Sequence, residues 1–312
     1  MAATILYAGD RAEWPLYREA LTGALAQAGV SAQLLSHGSS PDKIDYIVYA
    51  PNGGIEDFTP FTRLKAVLSL WAGVETFQHN QTLRVPLARM VDPGLTAGMG
   101  EWVLGHVMRA HLGMDTHILG QDGIWRHDTI PPLAQDRHIG VLGLGALGAH
   151  AARSLARVGF QVSGWSRRPK SIPGIACHSS AKGLEAVLSG AEILVLLLPL
   201  TPETETILNA ETLAMMPRGA TLLNPGRGGL IDDDALLAAL DSGQIGAATL
   251  DVFRTEPLPP AHPFWAHPRV TVTPHIASET RIQSAAKTIA ENIRRSEAGL
   301  PLRNLVDRQS GY

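Results

Sequence analysis

Short apolar runs alternate with helix-periodic stretches along almost the whole chain. In the first third, residues 4–7, 32–35, 46–49, 66–70 and 85–90 are apolar runs of strand length, and residues 14–28, stopped by Gly29, have helical spacing. In the second half, residues 139–142, 160–165, 193–198, 221–224, 247–250 and 270–273 read as six further strands. Between them lie helical stretches at 149–158, at 181–188, and from a cap at or near Asp232 through Leu240, stopped by Ser242-Gly243. Runs such as 46–49, 139–142 and 193–198 are apolar throughout rather than at every second residue, as in strands covered on both faces of a parallel sheet. Strand and helix in strict alternation define an α/β protein.

Two domains follow from this pattern. The fold class predicted is α/β with two Rossmann-like domains: a doubly wound parallel sheet for a cofactor, and a smaller flavodoxin-like substrate domain. A long helix starting near Glu101, with Trp102, Val103, Val107, Met108 and Leu112 on one face, joins them. Before it, Asp92-Pro93-Gly94 reads as a turn, and Gly98 and Gly100 as a loosened segment. An amphipathic helix marked by Ile282, Ala285, Ala286, Ile289 and Ile293 is left over after the six strands, so it is expected to return to the first domain. The division predicted is 1–98 with 284–312 for the substrate domain, and 99–283 for the dinucleotide domain.

Within residues 138–168, Gly143, Gly145 and Gly148 form G-x-G-x-x-G, with Ala146 and Leu147 between the last two. Such a triplet in an ordinary loop means little. Here a strand precedes it, a helix follows, and a second strand closes a βαβ unit. The first glycine then permits the tight turn, the second lets a pyrophosphate approach the backbone, and the third lets helix and strand pack closely. The helix N-terminus offers its N–H groups to the phosphates. The second strand ends Trp165-Ser166-Arg167-Arg168, and no Asp or Glu occurs from His150 through Leu184. An NAD site usually places an acid there for the ribose 2′-OH. A basic turn can be solvated and nothing more. As a site, Ser166 with the Arg167 and Arg168 guanidinium groups suits a 2′-phosphate, hence NADP(H), with NAD(H) the weaker alternative.

Bulk properties narrow the field. The chain has 312 residues, 45% apolar, with net charge −3 and pI about 6.5. Nothing there favours nucleic acid or an anionic membrane as partner. Cys177 is the only cysteine, so an intrachain disulfide and a cysteine-based zinc site are excluded. Twelve histidines show no H-E-x-x-H spacing, and no metal is expected. The opening residues lack the basic start of a signal peptide, and the apolar run 193–198 is far short of a membrane span. A cytoplasmic protein without a membrane partner is expected.

Three polar residues follow strand ends in the second half. Arg227 lies in Asn224-Pro225-Gly226-Arg227-Gly228-Gly229, Glu256 in Asp251-Val252-Phe253-Arg254-Thr255-Glu256-Pro257, and His275 in Thr273-Pro274-His275-Ile276-Ala277. Alone, each is an ordinary loop charge or a structural histidine. Ligands of open α/β sheets bind outside the carboxyl ends of the strands, so three such residues on one sheet point to a site. In the first domain, Trp71, Ala72, Gly73 and Val74 follow a strand end, and Gly73 would let backbone amides approach an anion; a plain βα turn reads the same. Tyr49, Trp71 and residues near Met99 are candidate pocket walls, and Trp125 a packing or subunit-contact residue.

The ordered set GLGALG, LLLPLTPET, NPGRGGLID, DVFRTEPLP and TPHIAS resembles the D-isomer-specific 2-hydroxyacid dehydrogenases over essentially the whole chain. The basic turn at Trp165, the length and the terminal Gly311-Tyr312 resemble most the glyoxylate/hydroxypyruvate reductase group of that family. The segment 92–100 departs from the family's commoner hinge wording. The resemblance implies a discontinuous substrate domain, two domains closing on the ligand, and a homodimer. It implies that Arg227 holds the substrate's carboxylate and α-oxygen, that His275 as imidazolium protonates the carbonyl oxygen, and that Glu256 orients the ring and favours its charged form. The amides of Ala72 to Val74 would take the substrate carboxylate. Asp251 would contact the nicotinamide carboxamide, with Leu198, Pro199, Thr204, Pro225, Gly226 and Ala277 around the cofactor. The activity implied is NADPH-dependent reduction of short 2-oxoacids such as glyoxylate and hydroxypyruvate. Alternatives are an NAD-linked D-2-hydroxyacid dehydrogenase of other specificity and a non-enzymatic dinucleotide-sensing protein like the corepressors sharing this fold.

Overall fold

The computed structural model of the chain describes residues 2–36, 40–77, 80–127 and 130–307, with only the backbone of Thr76; Gly311-Tyr312 lies outside the described residues. The chain forms two compact units, Met1–Leu95 with Thr280–Tyr312, and Thr96–Glu279.

The first unit is built on β1 (Ala3–Ala8), α1 (Trp14–Gln27), β2 (Ala32–Leu35), β3 (Tyr46–Tyr49), β4 (Ala66–Ser69) and β5 (Leu87–Ala88). The strands form one parallel sheet in the order β2-β1-β3-β4-β5. That is the flavodoxin-like order. Ile44, Ile47, Val67, Leu83 and Leu87 are its buried core on one face. The last strand is much shorter than the run 85–90, because only Leu87 and Ala88 pair with β4.

The chain leaves this unit through α2 (Pro93–His111), which starts well before Glu101. The helix start departs from the sequence pattern in two ways. Asp92-Pro93-Gly94 is a helix start rather than a turn: the buried Asp92 carboxylate accepts the N–H groups of Gly94 at 3.0 Å and Leu95 at 3.1 Å. An acid ahead of a proline in the first turn caps the otherwise unpaired amides. Gly98 and Gly100 do not loosen the segment. They are helical, and a Cβ on them would stand 2.9 Å from Ser278 Oγ and 2.7 Å from His150 Cδ2, respectively. Close packing explains both glycines. Met99, a candidate pocket wall, is a buried core residue on this helix.

In the second unit α3 (Met114–Ile118) precedes β6 (His138–Leu142), α4 (Ala146–Val158), β7 (Gln161–Trp165), β8 (Ala176–His178), α5 (Ser180–Gly190) and β9 (Ile193–Leu196). Then come α6 (Ala210–Ala214), β10 (Ala220–Asn224), α7 (Asp233–Asp241), β11 (Ile245–Leu250) and β12 (Val270–Val272). The sheet is parallel with seven strands, β12-β11-β10-β9-β6-β7-β8, not six. The additional edge strand β8 is only three residues long and includes Cys177 and His178, too short to carry a period. Helix α6, only five residues long, is too short to show a helical period, although Asn209 and Thr212 form a full capping box at its start. The strand order reverses between β6 and β9, where Ile139 sits between Val162 and Ile193. Both faces are covered. One core gathers Leu142, Leu194, Leu222, Leu236 and Leu250; the other gathers Val103, Val107, Val141, Leu155 and Val195.

Finally α8 (Ile282–Glu297) packs against α1. Glu297 at its end accepts the Tyr46 hydroxyl and the Lys65 ammonium, both at 2.6 Å.

Candidate active site

The first turn of the second sheet is shaped by its glycines. Gly143 has φ +105°, and a Cβ there would lie 2.4 Å from the Leu197 carbonyl oxygen. A Cβ on Gly148 would lie 1.7 Å from the Gly143 carbonyl oxygen, so strand and helix touch through their backbones. At exposed Gly145, by contrast, a Cβ would meet nothing within 4 Å. Gly145 is the N-cap of α4 and no side chain caps that helix. The amides of Ala146, Leu147 and Gly148 are therefore in the helix's uncapped first turn, which starts at the open position of Gly145. This cradle fits a dinucleotide pyrophosphate in charge and in room.

The basic turn follows β7 at the neighbouring strand end. Arg167 and Arg168 are exposed, and Ser166 is buried. The Ser166 hydroxyl donates to the Arg168 carbonyl at 2.8 Å, so it braces the turn. After β9, Leu198 is buried, and the Thr204 hydroxyl ties its own loop, donating to the Pro199 carbonyl at 2.7 Å and accepting from Thr201 N–H at 2.8 Å.

Arg227, Glu256 and His275 follow β10, β11 and β12, three adjacent strands. His275 Nδ1 and Glu256 Oε2 lie 2.7 Å apart. The other carboxylate oxygen, Oε1, accepts the Phe253 N–H at 2.8 Å, so Glu256 is held at both ends. With Nδ1 engaged, the ring's Nε2 is the nitrogen left to act. Arg227 is half-buried; its Nη1 donates to the Gly226 carbonyl at 2.7 Å, which curls the side chain over its own turn.

Two buried groups hold these loops, and the sequence reading missed what they do. Asn224, fully buried at the end of β10, accepts Gly226 N–H at 3.1 Å and donates to the Arg227 carbonyl at 2.9 Å. Pro225 and Gly226, also buried, are fixed inside this bracket. Asp251, fully buried at the end of β11, accepts from the Thr273 hydroxyl at 2.6 Å, Ile276 N–H at 2.9 Å and Ala277 N–H at 2.8 Å. Its own carbonyl accepts His275 N–H at 2.8 Å. His275 has φ +56°, in the left-handed region, an unusual place for a side chain of this size. The Asp251 bonds on either side offset that cost. The signal was available: an acid closing a buried strand must find donors.

In the first unit, Trp71 is half exposed, and its N–H and carbonyl are both bonded to Ser69 Oγ at 3.0 Å. The amides of Ala72, Gly73 and Val74 have no partner among the described residues. Tyr49, a candidate wall, is buried in a ring cluster with Phe58 and Phe77.

The comparisons with known proteins agree with this architecture. A family model described as D-isomer specific 2-hydroxyacid dehydrogenase, NAD binding domain, matches residues 103–277. The chain belongs to the D-isomer specific 2-hydroxyacid dehydrogenase family. It is an oxidoreductase with two α/β domains, and the matched stretch falls within its second unit. A glyoxylate/hydroxypyruvate reductase A of Serratia proteamaculans is 46% identical over 259 residues, covering 80% of this chain and 82% of that protein. A family member from Xanthobacter autotrophicus, solved with NADPH and MES, superimposes with TM-score 0.92 at 41% identity and full coverage of both chains. An NADPH-dependent glyoxylate/hydroxypyruvate reductase of Sinorhizobium meliloti, solved with NADP and sulfate, gives TM-score 0.85 at 36% identity, again over the whole of both chains. Among the described residues no helix is long and apolar enough to cross a membrane.

Proposed function

We propose that this chain is an NADPH-dependent reductase of short 2-oxoacids, with glyoxylate and hydroxypyruvate as substrates. The observation that carries the proposal is the 2.7 Å pairing of His275 Nδ1 with Glu256 Oε2 at the carboxyl edge of the sheet. The names of the Serratia and Sinorhizobium relatives support the substrates, and the NADPH and NADP bound to the Xanthobacter and Sinorhizobium proteins support the cofactor.

Gly143, Gly145 and Gly148, with the amides of Ala146 and Leu147, hold the pyrophosphate. Arg167 and Arg168 pair with the 2′-phosphate, and Ser166 sets the turn that presents them. Leu198, Pro199, Thr204, Pro225, Gly226 and Ala277 line the rest of the cofactor cleft, with Asp251 behind the loop that carries His275 and Ala277. The bound cofactor supplies a hydride to the substrate's carbonyl carbon.

The chain's own residues do the rest. Arg227 holds the substrate's carboxylate and carbonyl oxygen, for which a planar guanidinium fork is suited. His275 gives a proton from Nε2 to that oxygen, so the carbonyl becomes a hydroxyl as the C–H bond forms. Glu256 fixes the tautomer through Nδ1 and stabilises the positive ring. In the first unit, Trp71, Ala72, Gly73 and Val74 form the substrate-binding turn, and the amides of Ala72 to Val74, without partners among the described residues, suit a carboxylate.

The protein works as a homodimer. Ile118, Leu119, Ile124, Trp125, Ile130 and Leu133 are large apolar side chains gathered in one short stretch, and Trp125 is 89% exposed. Such a stretch calls for a second copy to cover it. Sedimentation should give twice the chain mass.

The deciding experiment is a steady-state panel of 2-oxoacids with NADPH and NADH in parallel. Glyoxylate and hydroxypyruvate should be reduced with NADPH preferred. No oxidation of NADPH with any 2-oxoacid would overturn the proposal.

A further inference from the structure

Arg254 belongs to none of the roles above, yet its guanidinium reaches across to the neighbouring catalytic loop. Its Nε donates to the Ile231 carbonyl at 3.2 Å, and its Nη2 donates to Ile231 at 2.7 Å and to the Gly229 carbonyl at 3.3 Å. Its remaining nitrogen, Nη1, stands 3.6 Å from Glu205 Oε1. Both carbonyls lie just after Arg227, in the Gly228–Leu230 turn and the residue that ends it. Arg254 itself lies two residues before Glu256.

The two loops also touch through their backbones. A Cβ on Gly228 would lie 2.0 Å from the Phe253 carbonyl carbon and 2.4 Å from Arg254 N. Gly228 therefore seats the Arg227 loop directly on the segment that carries Glu256. Backbone contact alone leaves the seat free to slide. A guanidinium that spans two carbonyls fixes it, because the planar fork has one good orientation. A lysine in its place has a point charge and no fork.

We infer that Arg254 is a positioning residue: by clamping the carbonyls of Gly229 and Ile231 it holds the Arg227 loop in register with the loop of Glu256, and so sets where Arg227 meets the substrate carboxylate. The inference rests on the substrate-binding reading of Arg227. The clamp's partners are Gly229, Ile231 and Glu205, none of them in the glycine turn at Gly143–Gly148 or the basic turn at Arg167, so the pyrophosphate and 2′-phosphate contacts are outside its reach.

The test is a split between Michaelis constants. Arg254→Met keeps the aliphatic stem and removes the fork. It should raise KM for glyoxylate by about tenfold or more, since small misplacements of binding groups are costly, while KM for NADPH stays within about twofold. Arg254→Lys should fall between Arg254→Met and the parent. A purely structural arginine would lower Tm and the active fraction and leave both Michaelis constants unchanged, and that result would overturn the inference. Should Arg254→Met fail to fold, Arg254→Lys decides by the same comparison. Arg227→Ala is measured in parallel. If it leaves KM for glyoxylate unchanged, the reading of Arg227 has failed; if it raises KM and Arg254→Met does not, only the clamp has failed.

Discussion

Asp251 Oδ2 accepts the N–H of Ala277 at 2.8 Å, and the same carboxylate's Oδ1 accepts the Thr273 hydroxyl and Ile276 N–H. One buried carboxylate thus ties down both sides of His275, whose backbone is left-handed. Asp251→Asn keeps one acceptor and turns an NH2 group toward a backbone donor. Hydrogen bonds to a charged group contribute roughly 1.5–3 kcal/mol, and a buried donor facing a donor adds to the loss. The variant should be destabilised by about 2–3 kcal/mol in denaturant unfolding and should lose kcat by more than it gains in KM. Unchanged unfolding would mean that the loop holds its shape without the charge.

Arg167 and Arg168 stand exposed where β7 ends, and no acid occupies the position that would bind a free ribose 2′-OH. Replacing both with glutamine should raise KM for NADPH about tenfold to a hundredfold, the cost of losing charge-assisted pairs. KM for NADH should change little, because NADH lacks the 2′-phosphate. Equal losses with the two cofactors would remove the arginines from the 2′-phosphate site.

The parts of the fold readable in advance share a physical cause. Strands buried on both faces, such as Tyr46–Tyr49 and Ile193–Leu196, write themselves as continuous apolar runs. The glycine turn was readable because each glycine answers a separate steric demand, and Arg227, Glu256 and His275 were readable as candidates because all three follow strand ends of one sheet; the pairing of Glu256 with His275 came only from the family resemblance. What escaped was set by tertiary contact. Gly98 and Gly100 looked like breakers, yet they sit inside α2 because Ser278 and His150 leave no room for a Cβ. Asp92-Pro93 looked like a turn because the same two residues serve turns and helix starts alike. The reach of Arg254 to Gly229 and Ile231 spans more than twenty residues and leaves no periodic trace.

His111 supplies a pH prediction. Its side chain is buried, Nδ1 has no partner among the described residues, and its ring stands edge-on to Phe160 at 4.9 Å. Burial, and then the charge of Arg137, hold its pKa below the ordinary value of 6.5. The native state therefore refuses a proton that the unfolded chain accepts. Its contribution is present in full above the unfolded pKa and is lost as pH falls from there toward the lowered native value. Burial also lowers His106, so the wild-type slope is a sum over both. His111→Leu should make the acid-side fall in stability shallower by up to about 1.4 kcal/mol per pH unit. Parallel curves for the two proteins between neutral pH and pH 5 would show that His111 titrates normally.

The last prediction concerns the proton. Reduction of a carbonyl group puts negative charge on its oxygen as hydride reaches carbon, and an acid at that oxygen acts mainly in the transition state. His275→Ala should therefore remove most of kcat, by roughly a hundredfold or more, while the protein still binds NADPH. Glu256→Gln keeps a group able to bond Nδ1 but exchanges a charged acceptor for a neutral one, and a charge-assisted bond is about twice as strong as a neutral one. The ring is then held less firmly at the substrate, so kcat for glyoxylate should fall by about tenfold. The measurement is kcat for glyoxylate in wild type and Glu256→Gln. An unchanged kcat would show that the 2.7 Å contact between His275 and Glu256 does not hold the ring for the chemistry. Full activity after His275→Ala would remove the histidine from the chemistry altogether, whatever its partner.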